Sequence, residues 1–459
     1  MNNSQKLHFV GIGGYGMSAI AKVMLDWGFT VSGSDVVEKE LTARLRSQGA
    51  QVYLGHDQQH VIGADLVIYS SDIPKDNVEL IAALENKIPL IHRSEMLAKI
   101  LNQRDGITVA GAHGKTTTSS MIAYIMERGN QDPTYVIGGE VMGLNNNAKA
   151  GQSNYVIAEA DESDGSFLNY FPKIAVITNI EPDHLENYDG KFENLKAAYK
   201  KYLHQVRTDG CVIINDEDLY TKEMVDDLEC NVITFGLSNQ ADYYVSDIQQ
   251  SGRRISFDLF ERQNLLGTIH LQIPGKHNVL NAASAVIACM QAGMSFEQIQ
   301  EQLESFHGAK RRFTVMGERH GITIVDDYAH HPTEIKATLA AAKASGKHVI
   351  AIFQPQRYSR TYFLFEEFSK AFADADELYV LDIYSPAGEK RINGVNARKL
   401  VDSIRSNSHA QAKFVEDRQQ LIEQLKIQAK PGDLVLTMGA GDIWKAAAEL
   451  ASYITQENY

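Results

Sequence analysis

Short runs, most of them rich in apolar residues, recur along the chain. Each closes in a glycine-rich or charged turn and is followed by a segment whose apolar positions return every three to four residues. Runs of the first kind suit strands of a buried parallel sheet, and segments of the second suit helices packed on it. Residues 7–10, 30–34, 51–54, 66–69 and 89–93 form a first set of expected strands. A second set comprises 107–110, 156–158, 174–178, 211–214 and 231–234. A third comprises 322–325, 349–353, 378–381 and 434–437. Expected helices include 17–26, 119–126, 282–291 and 334–344. Residues 242–273 break the rhythm. They alternate apolar and polar side chains, as in Ile255-Ser-Phe-Asp-Leu-Phe260, which predicts antiparallel hairpins appended to a parallel sheet.

The pattern predicts an α/β protein of three domains. A Rossmann-like domain spans 1–105, a central P-loop ATPase-type mixed-sheet domain 106–315, and a C-terminal Rossmann-like α/β domain 316–459. A chain of 459 residues exceeds what one core usually supports, which agrees with this division. The net charge of −14 argues against a nucleic-acid binder, so cations that meet an anionic ligand must be local. Three widely spaced cysteines, Cys211, Cys230 and Cys289, form no CxxC pair and fit a reducing cytoplasm. The N-terminus lacks the pattern of a signal peptide, and no apolar stretch approaches a membrane span.

Candidate chemistry gathers at the carboxyl ends of the expected strands. Gly111-Ala-His-Gly-Lys-Thr-Thr-Thr118 lies between a strand and a helix. Such a turn offers backbone N–H groups and a helix N-terminus to phosphate. Lys115 supplies a point charge, and the Thr116 hydroxyl suits Mg²⁺. The usual P-loop spacing would put glycine at 109, where this chain has Val109. Gly11, Gly13 and Gly16 match G-x-G-x-x-G, with Asp35 at the end of the next strand. That arrangement fits NAD or another nucleotide diphosphate equally well. Ser70, Ser71 and Arg93 fall at strand ends of the same domain.

In the central domain Glu159 and His184 close two strands. With Thr116, Glu159 suits one Mg²⁺, and His184 could serve a second. Asn278 and Asn281, one helical turn apart, offer amides to a base edge, or serve as helix caps. Arg311 and Arg312 read as a phosphate clamp or an exposed hinge. The last domain offers His330, His331, Arg357 and Arg360 for a small charged group.

Together, Gly11-Ile-Gly-Gly-Tyr-Gly-Met-Ser18, Gly111–Thr118, Glu159-Ala-Asp-Glu-Ser-Asp164, Asn179-Ile-Glu-Pro-Asp-His184, Gly275-Lys-His-Asn-Val-Leu-Asn281, Asp326-Asp-Tyr-Ala-His-His-Pro-Thr-Glu334 and Gly439-Ala-Gly-Asp442 run from end to end of the chain. In this order they resemble the Mur ligase family, and most of all its alanine-adding branch. The resemblance implies that ATP activates the lactyl carboxylate of UDP-N-acetylmuramate as an acyl phosphate, which the amine of L-alanine then attacks, releasing ADP and phosphate. It implies ATP contacts from Gly111, Ala112, His113, Gly114, Lys115, Thr116, Thr117, Asn278, Asn281, Arg312 and Asp327. Mg²⁺ ligands would be Thr116, Glu159 and His184. Gly13, Gly14, Ser70, Ser71 and Arg93 would lie on the UDP-sugar side, and His330, Arg357 and Arg360 would face the amino acid and acyl phosphate. A cytoplasmic monomer or weak homodimer is implied, without nucleic-acid or membrane partners. Sister ligases carry a carbamylated lysine where this chain has Tyr199, and often a histidine where it has Gln356.

Three alternatives stay open on these residues. One is the recycling ligase that joins a whole peptide to the same sugar. The others are an NAD-dependent oxidoreductase and a nucleotide-switch protein.

Overall fold

The computed structural model describes residues 4–144, 146–385 and 389–456. It forms three sheets. The first comprises β1 (Lys6–Val10), β2 (Thr30–Asp35), β3 (Gln51–Leu54), β4 (Leu66–Tyr69) and β5 (Leu90–His92). Its order is β3-β2-β1-β4-β5, all parallel. The order reverses between β1 and β4, which opens a crevice at the ends of those two strands where ligands bind in such sheets.

The second sheet contains β6 (Asp105–Ala110), β7 (Thr134–Val141), β8 (Asn146–Lys149), β9 (Tyr155–Glu159) and β10 (Ile174–Ile177). It continues with β11 (Cys211–Asn215), β12 (Asn231–Gly236), β13 (Tyr243–Ser251), β14 (Arg254–Glu261) and β15 (Asn264–Leu271). The order is β15-β14-β13-β12-β11-β10-β6-β9-β7-β8. β6 sits between β10 and β9, so the loop after it emerges with acidic turns on either side. The β13–β15 segment forms the expected hairpins, with two-residue connections, but β13 joins β12 in parallel.

The third sheet contains β16 (Thr314–Arg319), β17 (Ile322–Asp327), β18 (His348–Phe353), β19 (Glu377–Val380), β20 (Lys413–Phe414) and β21 (Asp433–Met438), in the order β16-β17-β21-β18-β19-β20. It is parallel except for β16, which is antiparallel to β17. Part of the polar turn after β19, residues 386–388, lies outside the described residues.

The chain divides into two compact units. One contains Met1–Tyr244, Glu261–Gln263 and Asn281–Gln302. The other contains Val245–Phe260, Asn264–Leu280 and Leu303–Tyr459. A core in the first runs from Leu7 and Phe9 to Ile177, Tyr199 and Ile214. In the second, cores line the two faces of the third sheet, around Phe353, Phe368 and Phe372 on one side and Ile324, Ile352 and Leu450 on the other.

Helix starts differ most from the sequence expectation. Residues 89–93 do not form one strand ending in a cation, because Arg93 is the first residue of the helix Arg93–Leu101. His92 caps that helix, and the Glu95 side chain returns to the His92 amide at 3.0 Å. This capping box stops the strand one residue earlier. The Gly111 turn likewise passes straight into the helix Lys115–Arg128, four residues before the apolar periodicity begins.

A buried polar knot ties the first sheet to the helix Val78–Glu85. The Glu79 carboxylate accepts from Ser34 Oγ at 2.5 Å and from the Asp57 amide at 3.2 Å. It meets His60 Nδ1 at 2.7 Å, with His8 Nε2 and His56 Nδ1 each at 3.4 Å. Burial alone would push this carboxyl up. The hydrogen bonds from His8, Ser34 and His60 outweigh it and bring the pKa down to about 2.

Candidate active site

The Gly111 turn is built from both sides. Gly111 (φ +135°) and Gly114 (φ +85°) take backbone conformations that suit glycine. A Cβ at Gly111 would collide with Thr178 Oγ1, and one at Gly114 would lie 2.5 Å from Asn281 Oδ1. Thr178 donates to the His113 carbonyl at 2.5 Å. Asn179 brackets His113, donating to its carbonyl at 3.0 Å and accepting from its amide at 2.9 Å. The strand end 178–179 thus pins the loop shape, a role the sequence pattern did not suggest.

Lys115 does not project freely from this loop. Its Nζ donates to both carboxylate oxygens of Glu162 at 2.8 Å and to the Gly111 carbonyl at 2.6 Å. Burial would strip its proton, but the charges of Glu162, Asp161 and Glu159 hold its pKa above the ordinary value. Glu162 is thus the partner of Lys115, a pairing that sequence reasoning passed over. The signal was present: a lysine at a buried turn needs an anion, and the acidic turn after β9 supplies one.

Glu159 shares a corner with this helix. Its Oε1 accepts from the Gly138 amide at 2.8 Å and from Ser119 Oγ at 3.5 Å, and Ser119 in turn donates to the Thr116 carbonyl. Thr116 itself is buried in the first turn of the same helix. His184 has a positive φ of 53° and lies 3.5 Å from Asp183 and 3.8 Å from Glu186, so carboxylates surround its imidazole.

At the first glycine turn, Gly11 N and Ile12 N bond to the Ser34 carbonyl, and Gly14 N to the Gly11 carbonyl. Asp35 is buried, and its carboxylate accepts from the Gly13 amide at 2.9 Å and the Val37 amide at 3.1 Å. It therefore braces the turn. Ser70 is buried at the end of β4. Ser71 is exposed and meets His92 Nε2 at 3.1 Å. Arg93 stands against Gly16, where a Cβ would lie 3.2 Å from Nη1, and pairs with Asp164 at 3.6 Å. The structure thus joins the first glycine turn to the acidic turn that holds Lys115.

The second unit gathers its own polar groups at the ends of β17 and β18. Asp327 accepts from the amides of Phe313 and Ala329, each at 2.7 Å. Burial pushes its carboxyl up to about 6, against the pull of Arg312 and these amides. Arg312 lies over the Tyr328 ring at 5.1 Å and 3.7 Å from Glu334. Arg311 instead binds Asp326 and the Gly439 carbonyl, which makes it structural. His330 Nδ1 is 2.9 Å from the Tyr328 carbonyl and 3.1 Å from Glu334. His331 caps the helix Pro332–Lys343, in a capping box with Glu334. The odd histidine pair thus divides into one residue at the polar rim and one helix cap.

Arg357 precedes the helix Tyr358–Phe363 with a φ of 69°, a strained setting for a residue with a side chain. Arg360 is buried and donates to Gln356 at 3.2 Å. Asn278 lies inside the helix Lys276–Gln291, not at its cap, and its amide donates to the Pro274 carbonyl at 2.6 Å.

The chain belongs to the Mur ligase family. Its residues 6–105 match the model of the Mur ligase family catalytic domain, 109–289 the Mur ligase middle domain and 311–441 the Mur ligase glutamate ligase domain. It is 46% identical over 458 residues to the UDP-N-acetylmuramate–L-alanine ligase of Symbiobacterium thermophilum, covering 98% of this chain and 95% of that one. The ligase of the same description from Pelotomaculum thermopropionicum is 44% identical, covering 99% of both chains. Among solved structures, UDP-N-acetylmuramate-alanine ligase from Thermotoga maritima superposes with a TM-score of 0.83 at 30% identity, covering 98% of this chain and all of that one.

Proposed function

We propose that this chain is an ATP-dependent ligase that joins L-alanine to the lactyl carboxylate of UDP-N-acetylmuramate, in peptidoglycan precursor synthesis. The observation that carries this reading is end-to-end similarity to enzymes so described, together with a built phosphate cradle at Gly111–Thr118. Division into 1–105, 106–315 and 316–459 gives one part to each of UDP-sugar, ATP and amino acid.

In this reading the backbone amides of Gly111–Thr117 and the Lys115 ammonium receive the ATP phosphates, with Asn278, Asn281, Arg312 and Asp327 as further ATP ligands. Gly13, Gly14, Ser70, Ser71 and Arg93 hold the UDP-sugar. Bound at Thr116 and Glu159, with His184 for a second ion, Mg²⁺ supplies neutralisation of phosphate charge. The substrate carboxylate attacks the γ-phosphorus, and the β–γ bridging oxygen leaves with ADP. Lys115 stabilises charge on the transferring group, since phosphoryl transfer depends mainly on positioning and electrostatics. The amine of L-alanine then attacks the acyl carbon, phosphate leaves, and the amine proton is lost to solvent or a base. His330, Arg357 and Arg360 are assigned to the amino acid and the acyl phosphate. The reaction belongs in the cytoplasm, where ATP is made. Among the described residues no helix is long and apolar enough to cross a membrane.

The test is nucleotide release from ATP with UDP-N-acetylmuramate and a panel of amino acids. The proposal expects ADP, not AMP, and dependence on both the sugar nucleotide and L-alanine. Turnover with a tripeptide but not with L-alanine would move the chain to the recycling branch.

A further inference from the structure

His92 stands between Ser71 and Arg93, two residues of the proposed UDP-sugar site. It ends β5, opposite Tyr69 in register, and its ring meets the Tyr69 ring edge-on at 5.6 Å. Its two ring nitrogens have different tasks. Nδ1 caps the helix Arg93–Leu101: the Ser94 amide donates to it at 3.4 Å, and the Ser94 hydroxyl lies 2.8 Å away. An amide N–H can only donate, so Nδ1 carries the lone pair. Burial, and then the charge of Arg93, push the imidazole pKa below its ordinary value, against the carboxylates of Asp164 and Glu95. The ring is therefore neutral near pH 7, and its one N–H proton sits on Nε2.

That proton fixes the direction of the next bond. Nε2 is 3.1 Å from Ser71 Oγ, so Nε2–H donates and the hydroxyl accepts. The Ser71 proton then points away from His92, and no other described residue bonds to this hydroxyl. Ser71 is exposed just beyond β4, at the crevice where the strand order reverses. Next to His92, the helix Arg93–Leu101 begins, and a Cβ on Gly16 would lie 3.2 Å from Arg93 Nη1. A guanidinium and a helix start beside the first glycine turn suit a phosphate. Resting on the proposed UDP-sugar site, we infer that His92 is a positioning residue, whose Nε2–H tautomer, set by the helix cap, makes the Ser71 hydroxyl a donor aimed at a phosphate oxygen of the sugar nucleotide. His92 acts through Ser71 and not on the ligand directly.

The test is a double-mutant cycle on the full chain, reading the dissociation constants of UDP-N-acetylmuramate and of UDP. His92→Asn keeps a side-chain oxygen to cap the helix but has no Nε2 to meet Ser71. It should weaken both ligands about fivefold, the worth of one hydrogen bond. Ser71→Ala should cost about tenfold, as for a hydrogen bond to a charged group. In the S71A background His92→Asn should cost less than about twofold, because the hydroxyl it orients is gone. Equal losses in the two backgrounds, no loss in either, or a loss for UDP-N-acetylmuramate that spares UDP overturns the inference. A second readout leaves His92 in place. Two-bond proton–nitrogen correlation spectra of the histidine-labelled wild-type chain, with His92 assigned from the signal missing in His92→Asn, should show the Nε2–H tautomer. An Nδ1–H tautomer or a doubly protonated ring near pH 7 also overturns the inference. If the wild-type chain binds neither UDP-N-acetylmuramate nor UDP, the proposed function falls first, so the two failures are distinguishable.

Discussion

Asp35 Oδ2 accepts a hydrogen bond from the Gly13 amide at 2.9 Å, and the carboxylate is almost wholly buried while doing so. The residue that a dinucleotide site would use to select a ribose is thus engaged in shaping the turn. Asp35→Ala should loosen Gly11–Gly14 and weaken binding of UDP-N-acetylmuramate about tenfold, the cost of one charge-assisted hydrogen bond. Affinity for an ATP analogue should not move. Calorimetric titration with each ligand checks both halves.

Lys115→Ala separates the two nucleotide sites. UDP-sugar binding should survive within about twofold, because Lys115 faces Glu162 and the Gly111 carbonyl rather than the first glycine turn. Turnover should fall by roughly a thousandfold or more, as when a preorganised charge on a transferring group is removed. Equilibrium binding and steady-state ADP release, measured side by side, decide the point.

Gly111→Ala tests the loop geometry. The added methyl would collide with Thr178 and crowd the Asn179 backbone, so the cradle cannot keep its shape. ATP-analogue binding should be lost and the melting temperature lowered. Gly28→Ala is the control. Its φ is +84° but nothing lies within 4 Å of the added carbon, so only about 1 kcal/mol of backbone strain is expected.

The Glu79 knot predicts an acid limit to stability. Its folded pKa of about 2 lies below the ordinary 4.5, so its contribution is complete above about 4.5 and lost as pH falls through about 2. That contribution is on the order of 3 kcal/mol. Glu79→Gln should lower unfolding free energy near pH 7 by a comparable amount and flatten the acid limb of a denaturation series.

Asp327 works in the opposite sense. Its folded pKa of about 6 exceeds the ordinary 3.8, so stability is greatest below about 3.8 with respect to this group and declines as pH rises through about 6. The full decline is on the order of 3 kcal/mol, and Asp327→Asn should abolish that slope. Denaturant unfolding between pH 4 and pH 8 would show it.

Much of the architecture could be read from the pattern because parallel strands buried on both faces leave unmistakable apolar runs. Ile107–Ala110 and Val349–Phe353 are of this kind, and both lie inside observed strands. β7 and β16 escaped notice because their half-buried positions mix glycine and charge. The start of the helix at Lys115 was hidden because its first turn is Lys-Thr-Thr-Thr, selected for the phosphate loop rather than for helix propensity. Among site residues, motif spacing pointed to Lys115, Thr116 and Glu159. It could not indicate that Glu162 occupies Lys115, that Asn179 pins His113, or that His331 is a cap, because each depends on residues brought together by the fold.

The most direct test of the central claim follows the carboxylate oxygen. UDP-N-acetylmuramate labelled with heavy oxygen in its lactyl carboxylate is incubated with the enzyme, ATP, Mg²⁺ and L-alanine, and the released phosphate is weighed by mass spectrometry. Activation as an acyl phosphate predicts one labelled oxygen in each phosphate, appearing in step with the alanine adduct. Product formation with phosphate free of label would contradict the account.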